Sequence, residues 1–320
     1  MMTKQYYRDM PRWKKYYEFF PDWNRLGEDC EPDEDYLEWE NNEIHLERYS
    51  NPEAKAKIVM LHGVGGNGRV LSFMAVPLRK RGFEVIAPDL PGYGLSRVHA
   101  ESINYDGWIR LVDHLIHEEK AKDDRPIFLF GLSAGGMLSY HVTCINDDVR
   151  GLIATCILDL REREVLLGSA SNRMAVHVGT PLLTWMSRIA PSMKLPMKAV
   201  ANMKALVNDN SLLDFLVHDK TSAGSTVPVG LITSMTKAAP VIEPEHFERC
   251  PMLLVHPAED RWVTVDLSRI FFDKLKCHKK VVLLENAGHL PLESPGLQQM
   301  EDAIVEYING LILAEGVSNG

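Results

Sequence analysis

The chain has 320 residues, 45% hydrophobic and 25% charged, which is enough for one large α/β domain with an inserted subdomain. Its formal net charge of -9 argues against a nucleic-acid partner. No long apolar run suits a membrane span and the N-terminus has no continuous apolar segment of the secretory kind, so a cytoplasmic location is expected.

Residues 1–35 read as an aromatic-rich extension. Tyr6, Tyr7, Trp13, Tyr16, Tyr17, Phe19, Phe20 and Trp23 are interleaved there with Arg8, Arg12, Lys14 and Lys15. Trp13, Tyr16, Tyr17 and Phe20 fall on one face of a helix, which suits packing on the rest of the chain. The same composition also suits a membrane surface or self-association. Residues 36–40 and 43–49 read as an antiparallel hairpin turning at Asn41-Asn42. Strand-like runs follow at 57–61 and 83–87, with a helix over 69–81 between them that ends at Gly82. An amphipathic helix covers 108–118. Residues 127–130 form an apolar strand, 136–142 a helix and 152–158 another strand. Strands recur at 252–256 and 281–285, separated by a helix near 265–276, and a last helix runs over 297–313. Alternation of this kind predicts a mostly parallel sheet covered on both faces by helices.

The stretch between the strands at 158 and 252 is too long for one loop. Residues 161–246 are read as a helical cap, with pieces at 176–193, 197–206 and 211–218 broken by Pro181, Pro191 and Pro196. The core domain is then 36–160 and 247–320. The cap is rich in methionine, which suits an adaptable wall for an acyl chain. Leu182, Trp185, Met186 and Met203 are the candidate substrate-binding residues.

Chemistry concentrates where strands end. Gly131-Leu132-Ser133-Ala134-Gly135 joins the strand at 127–130 to the helix after it. A turn this sharp presents the serine hydroxyl, and it tolerates almost no side chain two residues before or after the serine. The N–H of Ala134 lies at a helix start, where free donors and the helix dipole favour developing negative charge. A serine needs a base to take its proton and an acid to orient that base. His289 follows the strand at 281–285, and Asp260 follows the strand at 252–256. Asp159, after the strand at 152–158, and Glu259 are alternatives for the acid. The glycine-rich run His62-Gly63-Val64-Gly65-Gly66-Asn67-Gly68 follows the strand at 57–61 and offers a second oxyanion donor, the N–H of Val64. His62 reads as a brace of that loop. The G-x-G-G-x-G spacing is a poor dinucleotide signature. Cys30, Cys144, Cys156, Cys250 and Cys277 are scattered and read as reduced, mostly buried thiols. No metal spacing is present and no cofactor is expected.

Taken together, His62-Gly63, the stretch Asp89 to Ser96, Gly131 to Gly135, Asp260 and Gly288-His289 resemble the landmarks of the α/β-hydrolase-fold serine hydrolases, over roughly residues 36 to 313. Within that family the segments 206–210 and 221–224 resemble the monoglyceride-lipase and lysophospholipase-like esterases. The resemblance implies an α/β-hydrolase fold with an inserted helical cap. It also implies a nucleophilic Ser133, a base His289, an acid Asp260, and oxyanion donors at Val64 and Ala134. The expected activity is hydrolysis of carboxylic esters with a hydrophobic acyl chain, such as monoacylglycerol or lysophospholipid-like esters. Three alternatives stay open: an N-acyl homoserine lactone hydrolase, a C–C bond hydrolase that would draw on Arg161, Arg163 and Arg173, and a non-catalytic ligand receptor.

Overall fold

The computed structural model describes residues 4–27, 30–170 and 173–318. The elements, in chain order, start with a short helix α1 (Pro11–Tyr16), the hairpin β1 (Asp33–Trp39) and β2 (Asn42–Tyr49), and β3 (Lys57–Leu61). Then come α2 (Ser72–Lys80), β4 (Glu84–Pro88), α3 (Tyr105–Lys120), β5 (Ile127–Gly131), α4 (Ala134–Thr143) and β6 (Val149–Ala154). An excursion follows, with α5 (Arg163–Ser169), α6 (Arg173–Ile189), β7 (Lys194–Pro196), α7 (Met197–Val200), α8 (Asn210–Val217), β8 (Thr226–Pro228) and α9 (Val229–Met235). The chain closes with β9 (Met252–Pro257), α10 (Val265–Phe272), β10 (Lys279–Leu284) and α11 (Gly296–Ser318).

Eight strands form one sheet in the order β1-β2-β4-β3-β5-β6-β9-β10. The hairpin pairs antiparallel with β4, and from β4 onward all pairs are parallel. Strands β3, β4, β5 and β9 are buried along their whole length. That matches their continuous apolar sequences, since a parallel sheet is covered on both faces. The register pairs Leu61 with Gly131 and Gly131 with Ala154. The C-terminal ends of β3, β5 and β6 therefore open onto the same edge of the sheet, where ligands of such sheets bind.

Several boundaries differ from the sequence reading. The hairpin turns at Glu40 and Asn41, both at positive φ, so that Asn42 pairs with Trp39. Two positive-φ residues give the twist that suits a two-residue hairpin. Helix α3 starts three residues early because the Asn104 side chain caps it, accepting from the N–H of Gly107 at 2.8 Å. Helix α6 runs through Pro181 without breaking and packs on α9. The helix expected over 197–206 is only α7, because Ala201 turns extended (φ -126°, ψ 147°). Helices α5 and α9 and the antiparallel pair β7–β8 were not read from the sequence.

Four aromatic rings of the N-terminal segment, Tyr7, Trp13, Tyr16 and Phe20, are buried, whereas Trp23 is exposed. Tyr7, Trp13, Tyr16 and Phe20 form a chain of edge-to-face contacts. Phe215 of α8 stacks on Tyr16, with centroids 5.9 Å apart. Arg12 pairs with the buried Asp219 at 3.0 Å. All five cysteines are free thiols, four of them buried. Among the described residues, no helix is long and apolar enough to cross a membrane.

Candidate active site

The site begins with a backbone conformation. Ser133 sits at φ 53°, ψ -123°, between the end of β5 and the start of α4. A non-glycine residue held there costs on the order of 1–3 kcal/mol, and only tight surroundings maintain it. Those surroundings leave no room for side chains. A Cβ on Gly131 would fall on the carbonyl oxygen of Gly135, and one on Gly135 would fall on that of Leu61. The two glycines thus let β3, β5 and α4 close around the serine.

Three side chains from three loops meet there. The Ser133 hydroxyl lies 2.9 Å from His289 Nε2, and His289 Nδ1 lies 2.7 Å from Asp260 Oδ2. An ionised carboxylate can only accept, so Nδ1 carries the proton and Nε2 is free to accept from Ser133. Asp260 Oδ1 accepts from the N–H groups of Trp262 and Val263, each at 2.8 Å. Burial would raise the Asp260 pKa, but the bond to His289 and these two N–H groups outweigh it and hold the carboxyl below its ordinary value. The loop carrying His289 is pinned to the excursion: the N–H of Leu290 donates to Leu206 O at 2.8 Å. The Glu293 carboxylate accepts from the N–H groups of Gly288 and Asn208. The indole of Trp262 covers the His289 ring with centroids 4.5 Å apart.

Asp159, the other candidate acid, is not at this histidine. Its carboxylate takes the Arg161 guanidinium at 2.7 Å. Arg161 also pairs with Glu243 at 2.8 Å. His62 is a brace: its Nδ1–H donates to Gly63 O at 2.7 Å and its Nε2 accepts from the N–H of Leu90 at 2.9 Å. Burial pushes its pKa down, so it stays neutral. The loop it holds runs past the serine, with Val64 beside it in the cavity wall. Among the described residues, the N–H groups of Val64 and Ala134 have no backbone acceptor.

Ser133 and His289 open into a cavity of about 470 Å³. Its wall is mainly apolar and takes Met137 from α4, Met197 and Met203 from the excursion, and Trp262. Of the four wall residues read from sequence, Leu182 and Met203 line the cavity, and Trp185 and Met186 do not. Trp185 is 58% exposed. Trp262, Tyr105 and His141 line the cavity without having been singled out. Trp262 was within reach, two residues past Asp260. Arg161 and Arg163 do not line it, and the side chain of Arg173 lies outside the described residues. Among the described residues, no cluster of His, Cys, Asp or Glu could hold a metal ion.

The chain matches the family described as Serine aminopeptidase, S33, over residues 52–295, and it belongs to that family. No curated protein matches it in sequence. Solved structures share its fold. A soluble variant of monoglyceride lipase from Saccharomyces cerevisiae, in complex with a substrate analog, is 14% identical with a TM-score of 0.75, covering 91% of this chain and 98% of that one. The monoacylglycerol lipase of Paleococcus ferrophilus is 21% identical with a TM-score of 0.65, covering 84% and 98%. Est1E from Butyrivibrio proteoclasticus, bound to ferulic acid, is 16% identical with a TM-score of 0.58, covering 87% and 99%. The protein is an α/β-hydrolase-fold enzyme, a hydrolase.

Proposed function

For this member of the S33 family we propose hydrolysis of carboxylic esters with a hydrophobic acyl chain, monoacylglycerol or lysophospholipid-like esters first among them. One observation carries the reading: the bonded chain Asp260, His289, Ser133 ends at the wall of a mainly apolar cavity. Ser133 Oγ attacks the acyl carbonyl as His289 Nε2 takes its proton. The negative charge on the carbonyl oxygen is held by the N–H groups of Val64 and Ala134. His289 returns the proton to the leaving alcohol, and Asp260 stabilises the imidazolium. Water then attacks the acyl carbonyl as His289 takes its proton, and His289 returns that proton to Ser133 Oγ as the carboxylic acid leaves. Residues 161–246 act as the cap that supplies most of the acyl wall.

Two rival substrates fit the cavity less well. A peptide's free ammonium calls for an unpaired carboxylate. The carboxylate that lines the cavity, Asp159, is engaged by Arg161. An anionic substrate of a C–C hydrolase calls for a cation, and Arg161 is shared between Asp159 and Glu243.

The test is hydrolysis of p-nitrophenyl esters from acetate to palmitate by wild type and Ser133→Ala, beside a series of N-acyl homoserine lactones followed by pH. Turnover that peaks at medium or long chains and vanishes in Ser133→Ala is expected. Turnover of lactones alone would move the assignment to a lactonase. Silence on both series would overturn ester hydrolysis.

A further inference from the structure

The reaction described above leaves two buried polar side chains of the cavity unused. Helix α4 turns Ala134, Met137 and His141 toward the cavity, the spacing of one helical face. His141 lies eight residues beyond Ser133, about 12 Å along the helix axis. At its ring stands Tyr105, the first residue of α3, edge-on with centroids 5.4 Å apart. His141 is 4% exposed and Tyr105 2%. Among the described residues, neither the imidazole nitrogens of His141 nor the Tyr105 hydroxyl makes a hydrogen bond, and these atoms open into the cavity rather than being sealed in the core. Neighbouring hydroxyls of the same wall are satisfied: Thr233 donates to Val229 O and Thr236 to Thr233 O.

Polar atoms that open into an otherwise apolar cavity are held by water until a ligand replaces it. Two of them facing one cavity mark a place where a ligand supplies the partners. Their chemistry narrows that ligand. Burial drives the His141 pKa down to about 4, against the pull of Asp159, so the ring is neutral. It offers one donor and one acceptor, and the Tyr105 hydroxyl offers the same. Asp159, which also lines this end, has its charge matched by Arg161. An ammonium could only donate here and a carbonyl could only accept. A hydroxyl group does both.

We propose that His141 and Tyr105 form a subsite for a hydroxyl group on the acyl chain, about 12 Å from the ester carbonyl, so that hydroxylated medium-chain esters are preferred over plain ones. An extended chain advances about 1.25 Å per carbon–carbon bond, so this reach corresponds to roughly the tenth carbon. The subsite rests on Ser133 being the point of ester attack.

The experiment compares p-nitrophenyl decanoate with p-nitrophenyl 10-hydroxydecanoate in wild type, Tyr105→Phe and His141→Leu, with melting curves for each protein. A wild-type preference of about three- to tenfold in kcat/KM for the hydroxylated ester is expected, the worth of one net hydrogen bond. That ratio falls toward one in both variants, chiefly through KM. Tyr105→Phe removes a single oxygen and keeps the test open should His141→Leu fail to fold. A wild-type ratio near one, or a preference that survives both variants, overturns the subsite. A second arm titrates Ser133→Ala with methyl decanoate and methyl 10-hydroxydecanoate by calorimetry. Tighter binding of the hydroxylated ester there supports the subsite even if no ester is turned over, in which case ester hydrolysis alone fails. Equal affinity overturns the subsite.

Discussion

Asp260→Asn separates the candidate acids and tests the geometry of the site. One carboxylate oxygen of Asp260 holds two backbone N–H groups at 2.8 Å, and the other holds His289 Nδ1–H at 2.7 Å. An asparagine has one oxygen for these two duties. If its oxygen stays on the N–H groups of Trp262 and Val263, its NH₂ faces Nδ1. His289 must then accept at Nδ1 and carry its proton on Nε2, where it cannot take one from Ser133. If the amide flips, the NH₂ opposes two buried N–H donors, at about 1–3 kcal/mol for each group left unsatisfied. The first arrangement is the cheaper, so the fold survives with the wrong tautomer. The expected loss in kcat is about 10⁴-fold, or about 5.4 kcal/mol of transition-state stabilisation. Steady-state hydrolysis of a p-nitrophenyl ester reads the loss, and a melting curve shows that the fold is kept. Asp159→Asn is the companion variant: it weakens an ion pair with Arg161 and leaves the His289 tautomer alone. A loss under about tenfold in Asp260→Asn, or an equal loss in Asp159→Asn, would refute this reasoning.

Gly135→Ala places a methyl group on the carbonyl oxygen of Leu61. Its melting temperature and ester turnover should both fall, with a destabilisation of about 1–3 kcal/mol or more. Met203→Trp fills the cavity wall and should shift the preferred ester to shorter chains, whereas Trp185→Ala, on an exposed face, should leave the chain-length profile in place; both are read from the same ester series. Trp13→Ala, at a position 1% exposed, should cost about 3–5 kcal/mol in urea unfolding. His45 gives a pH dependence. Burial would lower its pKa, but Asp89, Glu34 and Glu47 outweigh that and raise it from 6.5 to about 9. The protonated ring is therefore the form the fold favours. Its stabilisation is fully present below about pH 6.5 and is lost as the pH rises to about 9, by about 3 kcal/mol. Urea unfolding across that window should lose this slope in His45→Gln.

The sequence was most legible where one short segment carries its own geometry. Gly131 and Gly135 announce the elbow because the clash they avoid lies within four residues of chain and the strand beside it. Asp260 and His289 could be placed because each closely follows an apolar run. The wall was harder to read. Helical periodicity puts Leu182, Trp185 and Met186 on one surface of α6, but it does not say how far round that surface the cavity reaches. Leu182 falls inside the cavity, and Trp185 and Met186 fall outside it. The pair β7–β8 has three residues per strand, ending at Pro196 and Pro228, so no alternation could be seen. His141 looks like any histidine in an apolar helix. The signal that could have found it is its place seven residues beyond Ala134, on the face that starts at the elbow. Its contact with Tyr105 spans 36 positions and belongs to the tertiary fold alone.

The N-terminal segment illustrates how distant residues shape the glycine-rich loop. The Tyr7 hydroxyl donates to Asp89 Oδ2 at 2.8 Å. The same carboxylate accepts from the N–H of Gly68 at 2.6 Å and from that of Leu95 at 2.7 Å. His45, between Asp89 and Glu34, completes a buried ionic group that Arg69 joins through Glu34 and Glu47. The next residue, Leu90, donates its N–H to His62, and His62 holds Gly63. The glycine-rich loop is thus tied at both ends, Gly63 and Gly68, to the pair Asp89-Leu90. Such a tie counters the freedom that glycines give a loop. A backbone donor acts on developing charge only when it is held in place before the reaction. The Asp89 to Ser96 stretch therefore frames the loop that carries Val64, the proposed oxyanion donor. The aromatic segment covers that frame and, through Arg12 and Asp219, also fastens the excursion that walls the cavity.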